Sequence, residues 1–217
     1  MSLRQLALDI ELAYANFWHM KAQPFQIAPD APPAKQAILK AALKLFAAKG
    51  IDGVSIRDVA EEAGFTNPAL YKHYKSKEAM AADLFETCYR EMVARMERPL
   101  SQGLPFHGAL DEYMRALMEL YEAAPEPLDF IGDNLGRFWG AMPAELKTRT
   151  QVTQVRELLR QGRKEGAVTK DQPLELQVVF VMGLIGQLAR MARAGGLTKP
   201  ITAYRKEGFV MLEKLFA

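Results

Sequence analysis

From Ala34 onwards apolar positions return every three or four residues, proline or glycine sits at most interruptions, and no stretch alternates as a strand would. The pattern predicts an all-α chain. Ahead of it, residues 3–20 place Leu3, Leu6, Ile10, Tyr14 and Phe17 on one helical stripe, although Leu8 and Leu12 interrupt the polar face. The linker PFQIAPDAPP follows with four prolines in ten residues, which predicts extended chain. A helix is then expected over Pro33–Lys49, closed by Gly50, with Ile38, Ala41, Ala42, Leu45 and Phe46 as its buried stripe. Ser55 with Asp58 three residues on is a capping-box pattern, and Ile56, Val59, Ala60 and Ala63 give the helix it starts one apolar face. Gly64 ends that helix where a left-handed turn suits glycine. Thr66 or Asn67 caps the next helix, Pro68 to about Tyr74, with proline in its first turn. Ser76 caps a long helix that carries Met80, Leu84, Cys88, Met92 and Met96 at steps of four and is expected to stop before Pro99. Five more helices are expected, roughly Pro105–Ala124, Glu126–Gly140, Pro143–Glu165, Leu174–Ala194 and Pro200–Phe216. The division that follows is an N-terminal helix and linker (1–32), a three-helix head (33–80) and a helical body (81–217).

Two short helices around a glycine turn describe a helix-turn-helix. That topology alone leaves DNA binding open, because such turns also occur in proteins that never touch DNA. The run GFTNPALYKHYKSKEAM, preceded by KAALKLFAAKGIDGVSIRDVAEEA, resembles the N-terminal domain of the tetracycline-repressor (TetR) family from roughly Ala34 to Phe85. The likeness includes Phe46 to Gly50, Arg57-Asp58-Val59-Ala60, Leu70-Tyr71-x-His73-Tyr74 and Ser76-Lys77-Glu78. The chain departs from it at Tyr74, where the family more often has phenylalanine, and in the long segment before Ala34. The resemblance implies a transcriptional repressor that binds a palindromic operator in double-stranded DNA as a homodimer. Thr66, Tyr71, His73, Tyr74 and Lys77 would then hold phosphates, Asn67, Ala69 and Lys72 would face base edges, and Ser55 and Arg57 would add backbone contacts. It also implies that the last two helices pair between copies as a four-helix bundle, with Gly183 and Gly186 allowing close approach.

Charge supports the polyanion reading. The net charge of +2 conceals an excess confined to residues 34–80, with eight basic side chains against five acidic, while residues 81–217 carry eighteen of each. One cysteine, Cys88, excludes an intramolecular disulfide and points to a reducing compartment. His19, His73 and His107 are too scattered for a zinc site. The longest apolar run, Val178 to Ala189, is broken by Gln187 and is shorter than the ~20 residues that span a bilayer. The N-terminus resembles neither a secretory signal nor a transit peptide, so the expected place is the cytoplasm, with no membrane partner. Nucleophile elbows, phosphate-binding glycine loops and cofactor fingerprints are missing from the sequence. Neighbouring carboxylates such as Glu61-Glu62 and Asp111-Glu112 diverge on a helix. Neither enzyme activity, cofactor nor metal is expected.

Within the body, Gly132, Gly136 and Gly140 share one helix face, which predicts close approach by another helix or by a ligand. Methionines and aromatics suit an apolar or amphipathic small-molecule effector. Met92, Met118, Tyr121, Phe130, Phe138 and Phe180 are the expected lining, with Asn134 and Arg137 as polar anchors, the latter for a carboxylate. Effector binding would shift the spacing of the two heads and release DNA. The N-terminal segment is net acidic, unlike a minor-groove arm, and is expected to pack on its own chain or its dimer mate. An alternative from another class is a helical interaction protein regulated through that N-terminal helix, with vestigial DNA binding.

Overall fold

The computed structural model describes residues 24–216, so the helix expected over residues 3–20 lies outside the described part. Ten α-helices follow within it: α1 (Pro33–Lys49), α2 (Ile56–Glu62), α3 (Asn67–Tyr71), α4 (Lys77–Leu100), α5 (Phe106–Ala123), α6 (Pro125–Phe138), α7 (Ala144–Thr148), α8 (Gln151–Glu165), α9 (Leu174–Arg193) and α10 (Arg205–Phe216). Short 3-10 turns occupy Trp139–Ala141 and Ile201–Tyr204. The described residues contain no strand, and the all-α expectation holds.

Helix boundaries differ from expectation in four places, each with a local cause. Pro99 stands inside α4 instead of beyond it. A proline in the final turn removes a single backbone donor, and the Ser101 amide still closes the helix onto the Glu97 and Arg98 carbonyls. The segment expected as one helix over Pro143–Glu165 breaks at Arg149 and Thr150. There Thr150 and Thr153 exchange side-chain bonds to each other's amides, at 2.8 and 3.0 Å, and restart the helix as a reciprocal cap. The final segment begins as a 3-10 turn before α10. The second helix of the helix-turn-helix ends at Tyr71, so Tyr74 lies outside it. The linker avoids helix as expected but is not straight: a turn closes from the Ala31 amide to the Ala28 carbonyl, and Ile27 is buried.

The described chain groups into two compact units. One combines Phe25–Ser101 with Ala124–Arg156, and so holds α1 to α4 together with α6 and α7. Here α6 packs on both α1 and α4. An aromatic chain runs through the contact: Phe46 of α1 stacks on Phe130 of α6 at 6.0 Å, and Phe85 of α4 meets Phe138 at 5.4 Å and Phe130 at 6.5 Å. The five α4 residues spaced by four are all buried, as the periodicity requires. In α1 the stripe is shifted, with Leu39 and Leu43 buried while Leu45 is only half-buried.

The other unit includes Gln102–Ala123 and residues 157–216, built from α5, α9, α10 and the Ile201–Tyr204 turn packed on one another. A Cβ at Gly208 would fall 3.3 Å from Leu184 Cδ2 on α9 and 3.4 Å from Met114 Cε on α5, closer than most such contacts, so the glycine lets α10 lie against both helices. Gln177 is fully buried, accepts from Arg163 and donates to the Thr169 carbonyl, so its amide is satisfied at both ends. Leu176, Val179, Phe180 and Met191 of α9 and Val210 and Met211 of α10 remain exposed. α9 is long and apolar enough to cross a membrane by length and composition. It nevertheless carries Arg190 and Arg193 in its last turn and rests Val181 and Ile185 in the protein core.

Candidate nucleic-acid interface

The helix-turn-helix is built from its caps inward. Ser55 Oγ accepts the Asp58 amide at 3.2 Å, and Asp58 accepts the Ser55 amide at 2.8 Å, so both halves of the capping box are present. These bonds, the backbone one foremost, hold the Asp58 carboxyl below its ordinary pKa. Val59 and Ala60 bury the inner face of α2. Gly64 turns the chain with φ of 73°, a left-handed geometry that glycine adopts at little cost. Thr66 then precedes α3 in extended conformation, and its hydroxyl makes no capping bond. Pro68 lies in the first turn of α3, where its missing amide hydrogen costs nothing.

This order of caps turns one row of polar side chains outward. Ser55, Arg57, Thr66, Asn67, Tyr71, Lys72 and His73 are exposed, and Ala69 is half-buried. Tyr71 keeps 53% of its surface exposed. Lys77 is half-buried, and its ammonium donates to the Val54 carbonyl at 2.9 Å, which ties the start of α4 to the loop before α2.

Tyr74 requires a correction. Its ring is buried and its hydroxyl donates to Asp83 of α4, so the side chain points inward and presents no hydroxyl to a phosphate. Burial, reinforced by the Asp83 carboxylate, raises the phenol pKa and keeps the proton on the oxygen. The same Asp83 oxygen binds Lys35 at the start of α1 at 2.8 Å. Neither partner was visible from spacing, and Lys35 had counted only as surface charge. Lys44 likewise pairs with Glu62 at 2.6 Å.

The residues expected around an effector fall in different places. Met92, Phe130, Asn134, Arg137 and Phe138 belong to the unit that holds α4 and α6, and Met118, Tyr121 and Phe180 to the other. Met92, Met118, Phe130 and Phe138 are buried, whereas Phe180 is exposed. Asn134 donates to the Phe130 carbonyl within its own helix. Arg137 reaches Asp52, in the turn before α2, at 3.2 Å and Glu78, in the first turn of α4, at 3.3 Å. Its guanidinium therefore serves carboxylates of the chain itself. The glycine face is the second correction: a Cβ placed at Gly132, Gly136 or Gly140 meets nothing within 4 Å. Close packing against the described residues is not the reason for these glycines.

Comparison with known proteins agrees with this geometry. Residues 38–84 match the family described as bacterial regulatory proteins, tetR family. The HTH-type transcriptional repressor KstR2 of Mycobacterium tuberculosis is 28% identical over 177 residues, covering 76% of this chain and 83% of the repressor. The solved structure of the ketosteroid transcriptional regulator KstR2 from the same organism superposes with a TM-score of 0.73 at 22% identity, over 88% of this chain and 98% of that one. The transcriptional regulator FadR of Bacillus subtilis, solved in complex with stearoyl-CoA, gives a TM-score of 0.65 at 16% identity, over 83% and 98%.

Proposed function

The chain belongs to the tetR family of bacterial regulatory proteins, and from that premise we propose that it represses transcription by binding a palindromic operator as a homodimer in the cytoplasm. One observation carries the reading: a capped helix-turn-helix whose second helix turns Asn67, Lys72 and His73 to solvent, on the segment that holds the chain's excess positive charge. Lys72 and Asn67 would meet base edges, and Thr66, Tyr71 and His73 would meet phosphates that fix the register. In this reading residues 33–80 would serve as the reader and residues 81–217 as the regulatory and pairing part.

Pairing between copies would cover the exposed apolar side chains of α9 and α10, whose burial is worth roughly 25 cal/mol per Å² of apolar surface. Two heads so joined would meet successive major grooves about 34–36 Å apart, or a multiple of that.

The effector is proposed to be an apolar or amphipathic small molecule. The buried methionines and aromatics support this, as do the ketosteroid regulator and the stearoyl-CoA complex among the similar structures. Its binding would favour dimers whose heads do not fit the operator.

Selection from a pool of random duplexes tests the reading. Recovery of a palindrome protected by the dimer supports it. A folded protein that retains no duplex at low salt overturns it and leaves the interaction-protein alternative.

A further inference from the structure

We propose that Tyr74, Asp83 and Lys35 form a polar junction that aims the recognition helix, Tyr74 acting as a positioning residue that touches no DNA. The inference rests on the DNA-binding reading and concerns how that site is held.

The recognition helix α3 has five residues, and only Leu70 among them is buried. At about 1.5 Å per residue it is less than 8 Å long, too short to fix its own tilt by packing. Its direction must be set where the chain leaves it. There the amides of His73 and Tyr74 both return to the Leu70 carbonyl, at 2.9 and 3.1 Å, and the Tyr74 ring is buried directly after the turn. Leu70 and Tyr74 are thus two buried points that hold the helix, and of these two side chains Tyr74 carries a directional bond.

That bond ends on a carboxylate with a second cation. Asp83 Oδ2 accepts from the Tyr74 hydroxyl and binds the Lys35 ammonium, joining the exit of α3, the second turn of α4 and the start of α1 at one oxygen. A phenol donating to a carboxylate is a charge-assisted bond, stronger and more directional than a neutral one. Lys35 and Asp83 are each about one-third exposed, so the pair forms without a full burial penalty. A phenylalanine at position 74 would fill the same space but lack the bond to Asp83. The tyrosine here therefore has a specific use.

Tyr74→Phe, Asp83→Ala, the double variant and Asp83→Asn should be compared with the parent protein on the duplex recovered by selection and on a random duplex. Apparent affinity scales with the fraction of heads correctly aimed, so a fall to about one-tenth in that fraction weakens operator binding about tenfold. Operator preference over random DNA should fall by that factor for Tyr74→Phe and for Asp83→Ala. The double variant should lose no more than either single change, and Asp83→Asn, which keeps an acceptor, should lose less. Melting temperature is measured alongside. An unchanged preference in Tyr74→Phe overturns the junction, as does a loss in Tyr74→Phe that Asp83→Ala does not share, since that marks direct contact with DNA. A fall in melting temperature without loss of preference at low temperature also overturns it, leaving a purely structural pair. If the parent protein selects no duplex, the DNA-binding reading itself has failed.

Discussion

Replacing Gly132 and Gly136 with alanine should make this protein more stable. Both lie in the body of α6, neither has a positive φ, and a Cβ at either meets no atom of the described residues within 4 Å. No clash opposes the change, and the gain comes from the unfolded chain, which loses backbone freedom when glycine becomes alanine. Each helix-interior substitution is worth about 0.8–1 kcal/mol, so the pair should contribute roughly 2 kcal/mol. For a chain of this size that corresponds to a rise of about 4–8 °C in melting temperature. Thermal unfolding of the two single variants and the double one measures it, and the two gains should add because the methyl groups have no shared neighbours. Operator binding should be unchanged, since Phe130 and Arg137, through which α6 meets the head, stay in place. A lower melting temperature would refute the reasoning. It would mean that this face is covered in solution by a second copy or by a bound molecule, and that the glycines are there to admit it.

Gly162 should behave in the opposite way: a Cβ there would fall 2.5 Å from Val168 Cγ2 and 2.7 Å from Phe106 Cδ2, and Phe106 is fully buried. Gly162→Ala should destabilise by about 1–3 kcal/mol, read by denaturant unfolding. Ser55→Ala removes the hydroxyl half of the capping box and should cost about 1 kcal/mol, with operator binding recovering at temperatures well below melting. Because the Asp58 pKa is lowered on folding, its stabilisation is complete above the ordinary carboxylate range and is lost as pH falls through the folded value. Acid titration of Ser55→Ala should accordingly show a weaker loss than the parent protein. Lys72→Ala should change which sequences are preferred in duplex selection, whereas a phosphate-only role predicts uniform weakening and a salt slope shallower by about one per contact.

The head was legible because its signals are local. A capping box needs only Ser55 and Asp58, a glycine turn only Gly64, and a helix start only Ser76. Each of these works through bonds spanning three or four residues, and each is where spacing placed it. Tyr74 was misjudged because the same short signature suits a side chain turned toward DNA or toward the core. The decision lies with Asp83, nine residues on, and Lys35, on another helix. The glycine face of α6 misled for a related reason. A row of glycines at helical spacing states that a Cβ is missing, and only the packing tells whether anything stands where it would be. The break at Arg149 was in principle readable: Thr150 and Thr153 have capping spacing, but the apolar periodicity on either side masked it.

Periodicity also gave no sign that α6 is the seat of the head. Chain order separates α6 from α1 by two helices of the head and two of the body, yet Phe130 stacks on Phe46 while Arg137 holds Asp52 and Glu78. The three contacts differ in kind. The stacked phenylalanines are buried, and such a pair is worth roughly 0.5–1.5 kcal/mol beyond the area it covers. The Arg137 pairs are exposed, and each is worth on the order of 0–1 kcal/mol. Adhesion of α6 to the head is thus an apolar matter, while the charges select orientation: Asp52 and Glu78 sit on separate elements, and one guanidinium reaches both only when the turn before α2 and the first turn of α4 are in register. The head is held in place by burial at Phe46 and aligned by directional polar contacts at Arg137 and Asp83. Loosening an exposed ion pair would therefore cost the attachment of α6 less than separating the phenylalanines.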